Sequence, residues 1–385
     1  MKKIVLLIIT VLIYSIGFSQ SKIIYTDIES SKLGAVRKLK IQLPRNYNTN
    51  VDKKYPVVIV LDGDYLFEPV AGNVDYFSYW EDMPESIVVG IMQGEQRYED
   101  CLYNDATSMM PEETGANFFE FIGMELMPYI DKEFRTAKFI VGVGHDFTAN
   151  FINYYLFKDP ILFNGYINLS PDFAYGMTDN IAQRIPNIKS KVFYYLATGS
   201  NDIIDLKESS EILNRKLAPL KNSNFIYHYD NFEDATHYSL VGRGIPNALE
   251  KMFSVYRPIS KKEYSEVLLL PSTNPYDYLI DKYNVISDLF SISNKIRIND
   301  FLAVGTAAEK KEDWESLRKI GELARKQYPE KIIGHYYIGR HLEETGNTKK
   351  AMRTFQAAFD KEEVDYITVD LLLDRADKIK NDFGY

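Results

Sequence analysis

Three side chains fall in an order suited to nucleophilic catalysis, and the first is a carboxylate where a hydroxyl is the usual nucleophile. The segment Gly144-His145-Asp146-Phe147-Thr148 lies between a β-rich run, Lys138 to Val143, and a helix-like run, Ala149 to Phe157. In the pattern Gly-x-Ser-x-Gly, such a strand–turn–helix context holds a serine on a sharp, strained turn with its hydroxyl exposed. Gly144 and His145 fit that pattern, Asp146 takes the serine position and Thr148 takes the second glycine. The acid candidate is Asp202, in Thr198-Gly-Ser-Asn-Asp202 just beyond a β run ending at Ala197, with Asp205 as its close competitor. Loops at the carboxyl ends of parallel strands are where such sheets carry their sites. The base candidate is His237, in the polar loop Phe232 to Leu240 ahead of a helical run from Ile245 to Phe253. Of the other four histidines, His228 lies in an alternating strand pattern and His335 and His341 lie in a helical tail. His145, beside the turn, is expected to point away if Asp146 takes the exposed place. Ser170 and Ser239 are substitute nucleophiles, but neither occupies an elbow.

An aspartate in the elbow changes the chemistry. A carboxylate that attacks an ester forms a mixed anhydride and must expel an alkoxide, a far worse leaving group, so acyl transfer runs uphill. Its negative charge also opposes the developing oxyanion, whose stabilisation is usually the largest catalytic contribution. Serine-type ester hydrolysis is therefore not expected. Two other roles fit the residue: attack at sp³ carbon, or a purely structural buried ion pair between Asp146 and His237.

The elements that must position these groups are short apolar runs. Lys22 to Ile28 and Val36 to Leu43 alternate, as half-buried strands do. Lys54 to Leu61, Ser86 to Met92, Phe139 to Val143, Phe163 to Leu169 and Lys191 to Ala197 are continuous, as expected for strands buried on both faces. Helical patterns lie between them, notably Ala116 to Phe134 and Ser209 to Leu220. Buried strands alternating with helices predict an α/β fold, a mostly parallel, doubly wound sheet, over residues 21–257.

Composition narrows the function classes. The chain has 385 residues, 45% hydrophobic and 14% aromatic, enough for a sizeable core. Its formal charge is −9, which gives no electrostatic footprint for nucleic acid or anionic lipid. Lys2 and Lys3 followed by the apolar run Ile4 to Tyr14 predict a cleavable export signal over residues 1–19. Eleven apolar residues are well short of the roughly 20 that a bilayer span needs. Loss of the two lysines with the signal would bring the charge to −11. The expected location is periplasmic or secreted, with no transmembrane segment in the mature chain. Cys101 is the sole cysteine, so no internal disulfide can form. No cofactor and no metal site are expected.

After Pro258 the β runs thin out and helical periodicity takes over, predicting a small all-α domain over 258–385. Gly339, Gly346, Ala351, Phe355 and Ala358 occupy the small and bulky positions of a tetratricopeptide helix pair. Gly305 stands 34 residues before Gly339 and Ala324 stands 34 before Ala358, which predicts two repeats, 298–331 and 332–365. The earlier copy departs from the pattern at Glu312, Leu317 and Gly321. An ordinary bundle with coincident glycines is the competing reading. A partial third helix is expected near Ile367 to Lys380. Such a stub could hold a protein partner or pack on the α/β domain.

Over residues 28–253 the chain resembles the esterase family of α/β hydrolases that includes enterochelin esterases, esterase D and mycolyltransferases. The resemblance is carried by Leu33-Gly34 with Arg37, by Tyr55-Pro-Val, by Leu61-Asp-Gly-Asp64 and by Arg97 with Asp100. It continues through Glu125 to Asp131, Arg135-Thr136, Gly144-His145, Phe163 to Pro171 and Thr236-His237. The resemblance implies a serine esterase with the order elbow, acid, histidine and an oxyanion hole of backbone amides. On this chain those amides would be Asp64, Tyr65 and Phe147, and Asp202 and His237 take the acid and base positions. Asp146 breaks the carry-over at the nucleophile. Haloalkane dehalogenases and epoxide hydrolases are related folds that do use an aspartate there, beneath a helical lid. Pro171 to Lys191 leaves about 20 residues, too few for that lid. Phe147 also stands where dehalogenases place tryptophan. The expectation is an exported α/β-hydrolase-fold protein without serine-esterase activity, serving as a binding or scaffolding module. A small molecule in the vestigial pocket or a protein on the tail would be its partner. The alternative is an active hydrolase using Asp146 or another residue with His237 and Asp202.

Overall fold

The computed structural model describes residues 22–104 and 110–385. The expected export signal at 1–19 lies outside the described residues. The chain divides into two compact units: one up to Ser254 together with Leu289–Ile292, the other Val255–Asp288 with Ser293–Tyr385.

The first unit is built on one eight-stranded sheet. Its strands are β1 (Lys22–Ser30), β2 (Ala35–Leu43), β3 (Tyr55–Val60), β4 (Ile87–Ile91), β5 (Thr136–His145), β6 (Gly165–Leu169), β7 (Val192–Asn201) and β8 (Phe225–Thr236). They lie in the order β1-β2-β4-β3-β5-β6-β7-β8. β1 pairs antiparallel with β2, and β2 antiparallel with β4; all later pairings are parallel. The composition of the strands explains that placement. Every residue of β3, β4 and β6 is buried, and each run is rich in Val, Ile, Tyr or Leu. Such strands can only be central, covered on both faces by helices. β1, which alternates, is exposed along its outer part and forms one edge.

Helices fill the crossovers between the parallel strands, including Phe67–Tyr79, Glu113–Phe121, Phe147–Ile152, Met177–Arg184 and Ile204–Leu217, and Ser239–Met252 follows the last strand. The helix expected over Ala116 to Phe134 is interrupted. It runs as Glu113–Phe121, one π-helical turn at Ile122–Leu126, then Met127–Glu133. Pro128 explains the break, because it has no amide to continue the ladder at that point.

The second unit is all-helical, with Ile298–Lys310, Trp314–Gln327, Ile333–Glu344, Thr348–Gln356 and Val369–Phe383 joined by short connections. Small residues set how closely these helices approach. A methyl at Gly305 would come within 2.2 Å of the Tyr337 ring, and one at Gly339 within 2.2 Å of the Phe355 ring. Gly339 and Phe355, singled out by their sequence spacing, are thus in direct contact. Among the described residues no helix is long and apolar enough to cross a membrane.

Candidate active site

The carboxyl ends of β5, β6 and β7 bring the sequence candidates together. Gly144 permits the turn at the end of β5: a Cβ there would lie 2.5 Å from the Thr148 backbone as the helix folds back. Asp146 then adopts φ 62° and ψ −123° and heads the helix Phe147–Ile152. A non-glycine residue in that region is strained, and such strain concentrates at functional sites. The turn is fixed on both sides. The Asp146 amide donates to the Leu169 carbonyl at the end of β6 (3.1 Å), and its own carbonyl accepts from the Asp172 amide (3.2 Å). Thr148, at the second glycine position, is fully buried and donates its hydroxyl to Asp62 at 2.6 Å.

His237 follows β8, and its Nδ1 meets Asp202 Oδ1 at 2.9 Å. Asp202 lies in the loop after β7, where the Thr198 hydroxyl (2.9 Å) and the Ile203 amide (2.8 Å) also donate to it. Its side chain is wholly buried. Burial pushes the Asp202 carboxyl up, but the hydrogen bonds from His237, Ser170, Thr198 and Ile203 outweigh it and hold the group at about 2. A carboxylate so held orients the imidazole and stabilises its cationic form. Asp205, the competing acid, is exposed on the first turn of the helix Ile204–Leu217.

Ser170 directly follows β6, with φ 45°, and is fully buried. Its hydroxyl lies 3.1 Å from Nδ1 of His237, the nitrogen that already faces Asp202. It is therefore on the acid side of the ring, where a hydroxyl supports the dyad and cannot be activated by Nε2. Ser239 is bonded to Thr236, with its hydroxyl 2.8 Å from the Thr236 amide.

The elbow carboxylate has a different partner from the one expected. Asp146 Oδ2 accepts from Arg97 Nη1 at 3.2 Å, and no ion pair joins Asp146 to His237 among the described residues. The structural pair proposed between those two is thus replaced by two separate pairs, Asp146 with Arg97 and His237 with Asp202. Arg97 is fixed by Asp62: Nε donates to Oδ1 at 2.5 Å and Nη2 to Oδ2 at 3.2 Å. Nη2 also reaches the His145 carbonyl at 3.0 Å, and the guanidinium lies 5.3 Å from the centre of the Phe147 ring. Burial works against the charge on Arg97, but Asp62 and Asp146 more than offset it, so the group stays cationic. Asp62 accepts the Tyr65 hydroxyl as well, at 2.9 Å, while its amide donates to Gln93 at 2.8 Å. Gln93 in turn reaches Asp100 at 3.1 Å, which forms a buried two-bond pair with Arg37.

His145 does not turn away from the site. Its ring lies 4.4 Å from that of His237, and its Nε2 is 3.1 Å from the His237 carbonyl. A carbonyl only accepts, so Nε2 carries the proton of the neutral ring. Burial and the neighbouring His237 ring pull the His145 imidazole down to about 4. The sequence offered no sign of this, because a residue next to a strained turn can be sent either way by a small change in ψ.

Of the three amides expected to stabilise an oxyanion, Phe147 heads a helix, where first-turn N–H groups have no intrahelical acceptor. Asp64 lies in the turn after β3, its carboxylate accepting from the Gln93 and Gly94 amides at 2.8 Å each. The Tyr65 amide is spent, closing its own turn onto the Asp62 carbonyl at 3.1 Å. Among the described residues, no cluster of three or more His, Cys, Asp or Glu side chains could hold a metal ion.

Residues 30–151 match the family model described as "Putative esterase". The crystal structure of an uncharacterised protein from Capnocytophaga ochracea is similar over 94% of this chain and 100% of its own, with 27% identity and a TM-score of 0.84. An IroE-like serine hydrolase from Shewanella oneidensis aligns over 79% of this chain and 99% of its own, at 20% identity and a TM-score of 0.58. The BES protein from Bacillus cereus aligns over 60% and 94%, at 23% identity and a TM-score of 0.52. The last two likenesses are of fold alone. No curated protein matched the sequence. The first unit of this chain has the α/β-hydrolase fold, and within it residues 30–151 are similar to the esterase family.

Proposed function

We propose that this protein is an esterase-fold binding module that does not hydrolyse esters by the serine route. The observation that carries the reading is Asp146 in the elbow conformation with its carboxylate against Arg97 at 3.2 Å. A carboxylate cannot hold an acyl group as a stable ester, and its charge faces the place where an oxyanion would form. Arg97 offsets that charge, which lets the strained turn tolerate aspartate. The same contact ties up one of the two oxygens that could attack. The ligand is a small molecule seated at the mouth of the elbow, where Tyr65, Tyr98 and Tyr238 are exposed. We further read the protein as exported, from its basic and apolar N-terminal run, and the helical unit as a pair of tetratricopeptide-like repeats that holds a protein partner.

A second reading is favoured by the intact hydrogen bond between His237 and Asp202. In it the free oxygen of Asp146 attacks sp³ carbon, and a halide or epoxide oxygen departs with the bonding pair. His237 then removes a proton from water, whose oxygen attacks the Asp146 carbonyl; the alkoxide is expelled, takes the proton back from His237 and leaves as the alcohol, which restores the carboxylate. Turnover of p-nitrophenyl acyl esters separates the readings from ordinary esterase chemistry. Wild-type protein is expected to match the rate without enzyme, and Asp146→Ser to exceed it by about 100-fold, since a triad nucleophile contributes orders of magnitude. Wild-type hydrolysis abolished by His237→Ala would refute the binding-module reading. An alkyl adduct on Asp146 after incubation with alkyl halides or epoxides, seen by mass spectrometry, would establish the second reading.

A further inference from the structure

One edge of the sheet is free of lysine, arginine and proline over its first eight residues, and its exposed acids Glu233 and Asp234 lie at the far end. β8 (Phe225–Thr236) bonds to β7 on one side and ends the sheet on the other. Proteins usually blunt such edges with lysine, proline or short length, because unpaired N–H and C=O groups are templates for another strand. Phe225 to Phe232, Phe-Ile-Tyr-His-Tyr-Asp-Asn-Phe, contains no lysine, arginine or proline, and its first six residues are all partly exposed. β1, the other edge, differs in carrying an exposed lysine, Lys22.

We propose that β8 pairs antiparallel with β8 of a second copy of this chain, about a two-fold axis at Tyr229, so that the sheet runs on through a homodimer. The residue types select this register. Side chains directly opposite in an antiparallel pair share a face and interact. With Tyr229 on the axis, each His228 lies opposite the other copy's Asp230, and each Ile226 lies opposite Phe232. Asp230 spends Oδ2 on the Tyr195 hydroxyl (2.7 Å) and the Asn247 amide (2.6 Å), which leaves Oδ1 for an imidazole N–H. Moving the axis to His228 sets Ile226 against Asp230, and moving it to Asp230 sets His228 against Phe232; both forfeit the polar pair. A closed two-fold contact uses one patch twice and stops there, which is how an edge can pair without growing into fibres.

Sedimentation velocity of the purified protein from 1 to 100 µM tests the proposal, with hydrogen exchange at both ends of that range to locate the contact. The expected result is a dimer, with amide protection that rises with concentration and is confined to residues 225–233. His228→Asp, which sets carboxylate against carboxylate, and Tyr229→Lys, which sets two ammonium groups on the axis, should each weaken the dimer at least tenfold. Unchanged melting temperatures would show that both variants fold. A monomer at 100 µM, or a dimer protected elsewhere and indifferent to both variants, would overturn the proposal.

Discussion

The two halves of the candidate site carry different chemistry on one scaffold. On one side, Asp202 receives four hydrogen bonds, from His237, Ser170, Thr198 and the Ile203 amide, and is the kind of acid a triad needs. On the other side, the elbow keeps its backbone but presents a carboxylate neutralised by Arg97. The contrast separates geometry from chemistry. The strained turn is maintained by Gly144, by the Leu169 and Asp172 backbone and by Thr148 on Asp62, none of which depends on a serine. The acid–base pair is maintained by its own network. The residue type at position 146 can therefore differ while both supports stand.

If that separation is right, damage to one half should leave the other intact. The largest effect is expected from Asp62→Ala, beneath the elbow. It leaves Arg97 and Thr148 without their buried acceptor, and losing one member of a buried ion pair costs about 3–5 kcal/mol. Urea unfolding should report that loss, while the His237–Asp202 bond, read by the downfield imidazole proton, should persist. A smaller effect is expected from Asp202→Asn in the other half. The Asp202 carboxyl is held at about 2 in the folded chain against an ordinary 3.8, so its contribution is complete above pH 4 and is lost as pH falls towards 2. The substitution should cost about 1–2 kcal/mol at neutral pH and flatten stability between pH 4 and pH 2. Equal losses for the two variants at pH 2 would show that the halves are not independent.

Much of this was legible in the sequence, and the parts that were not share a cause. Continuous apolar runs such as Tyr55–Val60 and Ile87–Ile91 marked central strands, because only strands buried on both faces read that way. Asp202 and His237 were found from chain order and from the loops that follow strands. Arg97 was noted beside Asp100, yet its contact with Asp146 spans 49 positions and leaves no local spacing to detect. The close approach of the His145 and His237 rings and the burial of Ser170 depend in the same way on where β6 and β8 end. The spent amide of Tyr65 depends on a turn whose closure only coordinates reveal. Within the helical unit, Gly339 and Phe355, 16 residues apart and picked out as a small and a bulky position of one helix pair, do meet, because their contact is local.

The most direct test of the central claim is labelling with a fluorophosphonate, which an activated serine attacks at phosphorus with loss of fluoride. The account predicts no label on the wild-type protein, His237-dependent label at position 146 in Asp146→Ser, and none in Asp146→Ser with His237→Ala. Labelling of the wild-type protein at Ser170 or any other serine would contradict it, because a working nucleophile would then exist outside the elbow.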